Sequence, residues 1–185
     1  MSYLSEATES DQVAALYAAD ERGQGYVANY TKVFAHRPEV YAAWKTLSAA
    51  VQANMTLERY EVATIAAAQQ RGSAYCGLAH ARNLAREMGV ETVTQIATGE
   101  DDDPSRRAIY ELARQVAAAP ADITAKDLEP LRELGFADAE ILDVVLTAAI
   151  RCFFSSVLSA TGAEPDPSLT DQDPALRDVL LSRHS

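Results

Sequence analysis

Residues 57–80 read LERYEVATIAAAQQRGSAYCGLAH, and their apolar positions recur at helical spacing on both sides of one glycine. Thr56 stands where a capping residue is expected before the first helix, and Ser73 holds the same place before the second. Gly72 interrupts the pattern between them, as glycine commonly does at the end of a helix. The segment therefore predicts a helical hairpin, two consecutive helices joined by a tight turn.

Helical periodicity continues over most of the chain. Only 8 of the 185 residues are glycine and alanine is abundant, which favours helix because alanine has the highest helix propensity. We therefore predict an all-α helical bundle in a single domain, residues 1–185, with its core at about 25–167 and a tail at 168–185. Besides the hairpin helices, about 57–71 and 73–88, the predicted helices span about 10–21, 26–34, 38–53, 91–97, 104–118, 126–134, 138–158 and 174–181.

Charge and composition argue against several classes of partner. The formal net charge of −11 disfavours binding to nucleic acid or to an anionic membrane surface. No run of about 18 uninterrupted apolar residues predicts a membrane span, and residues 1–12 lack the features of a secretory signal. We expect a cytoplasmic protein with reduced cysteines.

The acidic run at 100–103 indicates a solvated loop and a helix cap rather than a metal site.

Cys76 and His80 are four residues apart on the second hairpin helix, so their side chains share one face, with roughly 6 Å between Cβ atoms. Cys76 also lies in the first turn, where unpaired amides and the helix dipole favour an anion. An imidazole beside it can take the thiol proton or stabilise the thiolate. The spacing predicts an activated cysteine nucleophile.

Glu61 comes from the preceding helix, about as far before the turn as His80 lies after it. In an antiparallel hairpin the two residues differ in depth by only about 6 Å, so the carboxylate is expected to orient the imidazole. Two other interpretations remain open for these residues. A lone cysteine is more often a small core residue, and the trio Cys, His and Glu is able to bind zinc, although paired C-x-x-C and H-x-x-H ligands are absent.

Residues 61–80 resemble the signature of the alkylhydroperoxidase D-like proteins, a superfamily that also contains carboxymuconolactone decarboxylases. The signature is a glutamate, eleven residues, and then C-x-x-C-x-x-x-H in a helical hairpin. Glu61, Cys76 and His80 match the glutamate, the second cysteine and the histidine in register. Further segments resemble the peroxidase-related members, so that the similarity extends over most of residues 25–167; they are 34–38, 131–140 and 161–166.

The chain departs from this signature at two positions. Ser73 stands where the family has its first cysteine, and Tyr75 replaces the polar or histidine residue often found before the second. In complete family members the second cysteine attacks the peroxide and the first resolves the sulfenic acid as a disulfide. A serine hydroxyl is able to cap the helix or donate to a thiolate, but it cannot resolve a sulfenic acid.

The second cysteine, Cys152, lies in an apolar helical segment next to Arg151. We interpret Cys152 as a core residue, because reactive cysteines favour electropositive and partly exposed surroundings. Arg151 is compatible with an ion pair or an active-site role, although an arginine on a helix typically lies at a surface or a subunit contact.

The resemblance implies thiol-dependent reduction of a hydroperoxide, with no cofactor and no metal. Cys76, activated by His80 and Glu61, would be the nucleophile, and Ser73 and Tyr75 would support it. An external thiol or protein reductant would restore the cysteine. The resemblance also implies a homo-oligomer, a trimer or hexamer. The alternatives are a decarboxylase-like lyase, whose branch lacks the cysteine but keeps a histidine, and a catalytically impaired scaffold.

Overall fold

The computed structural model describes residues 2–181, and residues 182–185 of the predicted tail lie outside this part. The described chain is helical and contains no strand, which confirms the predicted all-α class. A short 3-10 helix, Pro120–Asp122, separates α7 from α8. The α-helices are α1 (Asp11–Gln24), α2 (Asn29–Phe34), α3 (Pro38–Gln52), α4 (Leu57–Gln70), α5 (Ala74–Met88), α6 (Val90–Thr98), α7 (Pro104–Ala118), α8 (Ala125–Glu133), α9 (Asp138–Ala160), α10 (Pro167–Thr170) and α11 (Pro174–Leu181).

Helix α4 is the centre of the bundle. Every residue from Tyr60 to Gln69 is buried, because α5, α7 and α9 pack around it. Four of these ten residues are alanines, which lets the neighbouring helices approach closely. A helix buried on all sides is typical of a core element. Glu61, which lies within this helix, is therefore placed deep in the protein.

Helix α9 is the longest helix, and it is apolar and long enough to cross a membrane by length and composition alone. It packs along one side of α4 and also contacts α7 and α3, so half of its most apolar window is buried. Its opposite face carries the exposed side chains Leu142, Leu146 and Phe153. The helix therefore combines a core face with an uncovered apolar stripe.

Side-chain caps set several helix starts at the predicted residues. Ser10 accepts from Val13 N at the start of α1, and Thr56 accepts from Arg59 N at the start of α4. Asp103 likewise caps α7. Each of these oxygens satisfies an amide that has no partner within the helix.

Two local predictions differ from the structure. Helix α2 begins at Asn29 rather than near residue 26, because Asp20 and Asp166 accept hydrogen bonds from Ala28 N and Asn29 N. The acidic run is only partly solvated. Asp101 is 4% exposed and forms a two-point hydrogen bond with Arg106, at 2.6 Å from Nε and 2.7 Å from Nη2.

Candidate active site

The hairpin turn brings the predicted site residues onto adjacent helices. Gly72 has φ +61°, a backbone conformation that glycine adopts without strain, and Ser73 N donates to Ala68 O at 2.9 Å. The chain thereby reverses within two residues. Ser73 occupies the N-cap position of α5, but its side chain makes no capping hydrogen bond.

Cys76 is the third residue of α5, and it is 2% exposed. The first backbone hydrogen bond of this helix runs from Gly77 N to Ser73 O at 3.0 Å, so the amides before it lack helical partners. Their partial positive charge lies next to the sulfur, which is the environment predicted for a cysteine nucleophile.

Glu61 and His80 are in direct contact across the hairpin. The Nδ1 atom of His80 lies 2.5 Å from Glu61 Oε2, and Asn83 Nδ2 donates to Glu61 Oε1 at 3.3 Å. The buried carboxylate thus has a partner at each oxygen. A carboxylate accepts from a protonated Nδ1, so Nε2 is the ring nitrogen left for proton exchange.

The protonation of His80 is controlled by three neighbours. Burial lowers the pKa of the ring below its ordinary value, and the positive charge of Arg151 lowers it further. The charge and hydrogen bond of Glu61 oppose these two effects. A lowered pKa keeps His80 neutral at pH 7, the form that accepts a proton. The His80 side chain is 16% exposed, so this side of the site reaches solvent.

Arg151 is the residue whose placement the sequence did not predict. Although a surface or subunit contact was favoured over an ion pair or an active-site role, Arg151 is 3% exposed and its Nη1 atom donates to Cys76 Sγ at 3.6 Å. Within residues 2–181 no hydrogen bond joins Cys76 to His80, and the sulfur accepts its hydrogen bond from Arg151 instead. The available signal was a charged residue inside an apolar helix, since arginine is rarely buried without a functional partner.

An aromatic cluster adjoins the guanidinium. Arg151 lies over the ring of Phe154, 5.6 Å from its centroid. The Phe154 ring packs against Trp44, with centroids 4.3 Å apart, and against Phe34 at 5.0 Å. The cluster fixes α2 and α3 against α9 and gives the site an apolar wall.

Tyr75 and Cys152 lie outside the contacts around the sulfur. The Tyr75 hydroxyl donates to Asp166, which also accepts from Asn29 N at 3.0 Å. Tyr75 therefore ties α5 to the segment before α10. Cys152 is half-buried and unpaired, and burial raises the pKa of its thiol, in keeping with its interpretation as a core residue.

Among residues 2–181, no group of three or more His, Cys, Asp or Glu side chains is arranged to hold a metal ion. Glu61 and His80 approach each other, but the Cys76 sulfur accepts a hydrogen bond from the Arg151 guanidinium, which is itself a cation. A guanidinium at this distance disfavours a second cation on the same sulfur. The contacts therefore suit acid–base and nucleophilic chemistry.

The helical fold of this chain is that of the alkylhydroperoxidase D-like proteins. No protein-family model and no curated protein sequence matches the chain, so this assignment rests on structure. A peroxidase-related protein from Ralstonia eutropha JMP134 with an alkylhydroperoxidase AhpD core superposes with a TM-score of 0.81 at 23% identity. The superposition covers 91% of this chain and 94% of that one. The chain thus has the alkylhydroperoxidase D-like fold.

Two other solved structures share the fold. A peroxidase-related protein from Silicibacter sp. TM1040 has a TM-score of 0.73 at 22% identity, covering 88% of this chain and 89% of its own. The debrominase Bmp8 has a TM-score of 0.74 at 15% identity, covering 96% and 97%. A cysteine-to-alanine variant of Bmp8 in complex with 2,3,4-tribromopyrrole also matches. The fold is therefore shared by uncharacterized peroxidase-related proteins and by a debrominase, so it does not by itself define an activity.

Proposed function

We propose that the protein is a single-cysteine thiol peroxidase that reduces hydroperoxides. The observation that carries the proposal is the 2.5 Å contact between buried Glu61 and His80, with His80 one helical turn from a cysteine in the first turn of α5. This arrangement supplies a nucleophile, a base and a residue that orients the base. The similarity of the fold to peroxidase-related proteins supports the same conclusion.

The reaction begins with transfer of the Cys76 thiol proton to neutral His80. The thiolate then attacks the terminal oxygen of the hydroperoxide, so that an S–O bond forms as the O–O bond breaks. Sulfur is oxidised by two electrons to sulfenic acid, and the peroxide is reduced to an alkoxide. Protonated His80 returns its proton to the alkoxide, which leaves as an alcohol.

Regeneration requires an external thiol. Ser73 has no sulfur with which to form a disulfide, and Cys152 lies on α9 with a thiol whose pKa burial raises. An external thiol attacks the sulfenic acid and releases water, and a second thiol reduces the mixed disulfide. Cys76 is thereby returned to the thiol as the two external thiols become a disulfide.

The proposal is tested by peroxide turnover with a small dithiol as reductant. Wild type and Cys152→Ser should consume cumene hydroperoxide, whereas Cys76→Ser should show only the uncatalysed rate, because it lacks the nucleophile. A Ser73→Cys variant should turn over faster, since it restores a resolving thiol. Equal consumption by wild type and Cys76→Ser would refute the peroxidase.

The same panel of variants separates the alternatives. Loss of muconolactone that persists in Cys76→Ser would indicate the decarboxylase-like lyase, because that chemistry requires His80 rather than the thiol. Release of bromide from 2,3,4-tribromopyrrole, the ligand of the Bmp8 variant, would indicate a dehalogenase that uses the same thiolate. A chain inert to all three substrates would be a scaffold.

A further inference from the structure

Arg151 is a buried cation, and its one hydrogen-bond partner among residues 2–181 is a sulfur. It is 3% exposed, and its Nη1 atom donates to Cys76 Sγ. No carboxylate within residues 2–181 forms an ion pair with it, and its buried Nε atom has no hydrogen-bond partner. Buried arginines are normally paired with a carboxylate, because an isolated charge is costly to desolvate. Among the described residues, the Cys76 sulfur is thus the one group that is hydrogen-bonded to this guanidinium.

We propose that Arg151 stabilises the Cys76 thiolate that forms when the thiol proton passes to His80, and that its unpartnered N–H groups bind the oxygen atoms of the incoming hydroperoxide. The titratable and charged groups of the site come from three helices: Glu61 on α4, His80 on α5 and Arg151 on α9. Glu61 is already bonded to His80 and Asn83. Arg151 is the group in hydrogen-bond contact with the sulfur itself.

The geometry of the guanidinium suits both roles. Its five N–H donors lie in one plane with fixed directions, and one of them is used on the sulfur. As the S–O bond forms, negative charge moves from sulfur to the departing alkoxide oxygen. The guanidinium contacts the sulfur and has a further N–H donor beside it. It therefore stabilises negative charge both on the sulfur and on the departing oxygen.

If Arg151 only stabilised the fold, its replacement would lower the melting temperature. Arg151 lies on the buried face of α9 and its guanidinium contacts Phe154, so a methionine of similar length is able to fill the space. Replacing an arginine that has no carboxylate partner by an apolar residue removes a desolvation cost. We expect Arg151→Met to melt at the wild-type temperature or above it, while losing reactivity at Cys76.

The experiment compares Arg151→Met, Arg151→Lys and the control Arg82→Met. Arg82 also has a buried Nε atom without a partner, but its Nη1 atom donates to Ser168 O rather than to the sulfur. In a Cys152→Ser background, each variant is assayed for the pH dependence of alkylation by iodoacetamide, for the rate of oxidation by cumene hydroperoxide, and for melting temperature. Alkylation reports the thiolate, and oxidation also reports the oxygen contacts.

Arg151→Met should alkylate about 10-fold more slowly at pH 7, with its profile moved to higher pH. Arg151→Lys keeps the charge but lacks the planar fork, so it should alkylate within about 3-fold of wild type and oxidise about 10-fold more slowly. Arg82→Met should match wild type in both assays. Wild-type rates in Arg151→Met would overturn the proposal, as would equal deficits of Arg151→Lys in the two assays.

The oxygen-binding half of this inference rests on the proposed peroxidase function. A wild-type protein that alkylates in an Arg151-dependent manner but does not react with peroxide would refute the peroxidase and the oxygen contacts together. Alkylation that is independent of Arg151, in a protein that does reduce peroxide, would refute the thiolate role alone. An Arg151→Met variant that fails to fold would contradict the expected stability. The alkylation and oxidation rates of Arg151→Lys would then test the thiolate role and the oxygen contacts.

Discussion

At Glu61 a carboxylate is buried at the centre of the bundle, 2% exposed, with one oxygen on His80 and the other on Asn83. Such a group contributes little to folding, because its desolvation offsets the hydrogen bonds that it makes. Its role is therefore chemical: it fixes the orientation of the His80 ring and the tautomer that carries its proton on Nδ1.

Replacing Glu61 by glutamine should lower the rate of peroxide reduction about 10- to 100-fold, because the ring loses the negative charge that raises its basicity. Glu61 raises the pKa of His80, against burial and the charge of Arg151. Its removal should therefore move the acid limb of the pH–rate profile to lower pH. Stopped-flow oxidation across the acid range measures both effects.

The control is Glu87→Gln, an exposed glutamate on α5 outside the site. It should leave both the rate and the acid limb at their wild-type values. An acid limb that stays fixed, or moves to higher pH, in Glu61→Gln would show that His80 is not the group titrating in the profile.

Local patterns in the sequence indicated three of the four side chains that lie together at the candidate site. The i, i+4 spacing identified Cys76 and His80, and the lengths of the hairpin arms placed Glu61 at the right depth. Arg151 comes from α9, some 75 residues further along the chain. Its approach to the sulfur depends on how α9 packs across α4 and α5, which no local pattern encodes.

At the scale of the helices, the start of α7 depends on a buried ion pair. Asp101 bonds to Arg106 through two hydrogen bonds, and these hydrogen bonds lower the pKa of the carboxyl. Arg106 also contacts Glu58 at 3.1 Å. Through Arg106, the loop before α7 is therefore fastened to α4, the helix that carries Glu61.

Arg106→Met should destabilise the protein by about 3 kcal/mol, because it leaves the buried Asp101 carboxylate without its partner. The loss is measured by urea unfolding at pH 7. Because the folded-state pKa of Asp101 is lowered, the stabilisation is present at neutral pH and is lost as pH falls through that pKa. The gap between wild type and variant should therefore close in acid.

Arg114→Met is the matched control, since Arg114 pairs with Glu111 on the exposed surface of the same helix. Surface pairs contribute little, so its effect should stay within about 0.5 kcal/mol. Equal losses in the two variants would mean that the Asp101–Arg106 pair has no special role.

Helix positions were largely predictable because capping residues and periodicity are local properties. Ser10, Thr56 and Asp103 each cap the helix that was expected to follow them. The start of α2 was misplaced since its amides are satisfied by Asp20 and Asp166, and Asp166 lies more than a hundred residues away. Predictions failed where a long-range side chain replaced a local one.

At the scale of the molecule, α9 leaves an apolar stripe uncovered. Leu142, Leu146 and Phe153 are 54%, 37% and 44% exposed, and their spacing places them on one face. Contiguous apolar surface of this kind typically marks an interface. We propose that the stripe joins copies of this chain, in the trimer or hexamer that the resemblance implies.

Leu146→Glu should dissociate the oligomer, because a charge at the centre of the stripe cannot be buried without a partner. Sedimentation velocity measures the change in mass. Val90→Glu, an exposed apolar residue at the start of α6, should leave the mass unchanged. A wild-type protein that sediments as a monomer at high concentration would contradict the proposed assembly.

The most direct test of the central claim is mass spectrometry of the protein after mixing with one equivalent of cumene hydroperoxide and the sulfenic-acid trap dimedone. Cys76 is the proposed nucleophile, so the adduct should form on the peptide that contains Cys76 and should be absent from Cys76→Ser. Labelling should also fall sharply in Glu61→Gln and Arg151→Met. No adduct on Cys76, or an adduct on Cys152 alone, would contradict a peroxide-reactive cysteine at this site.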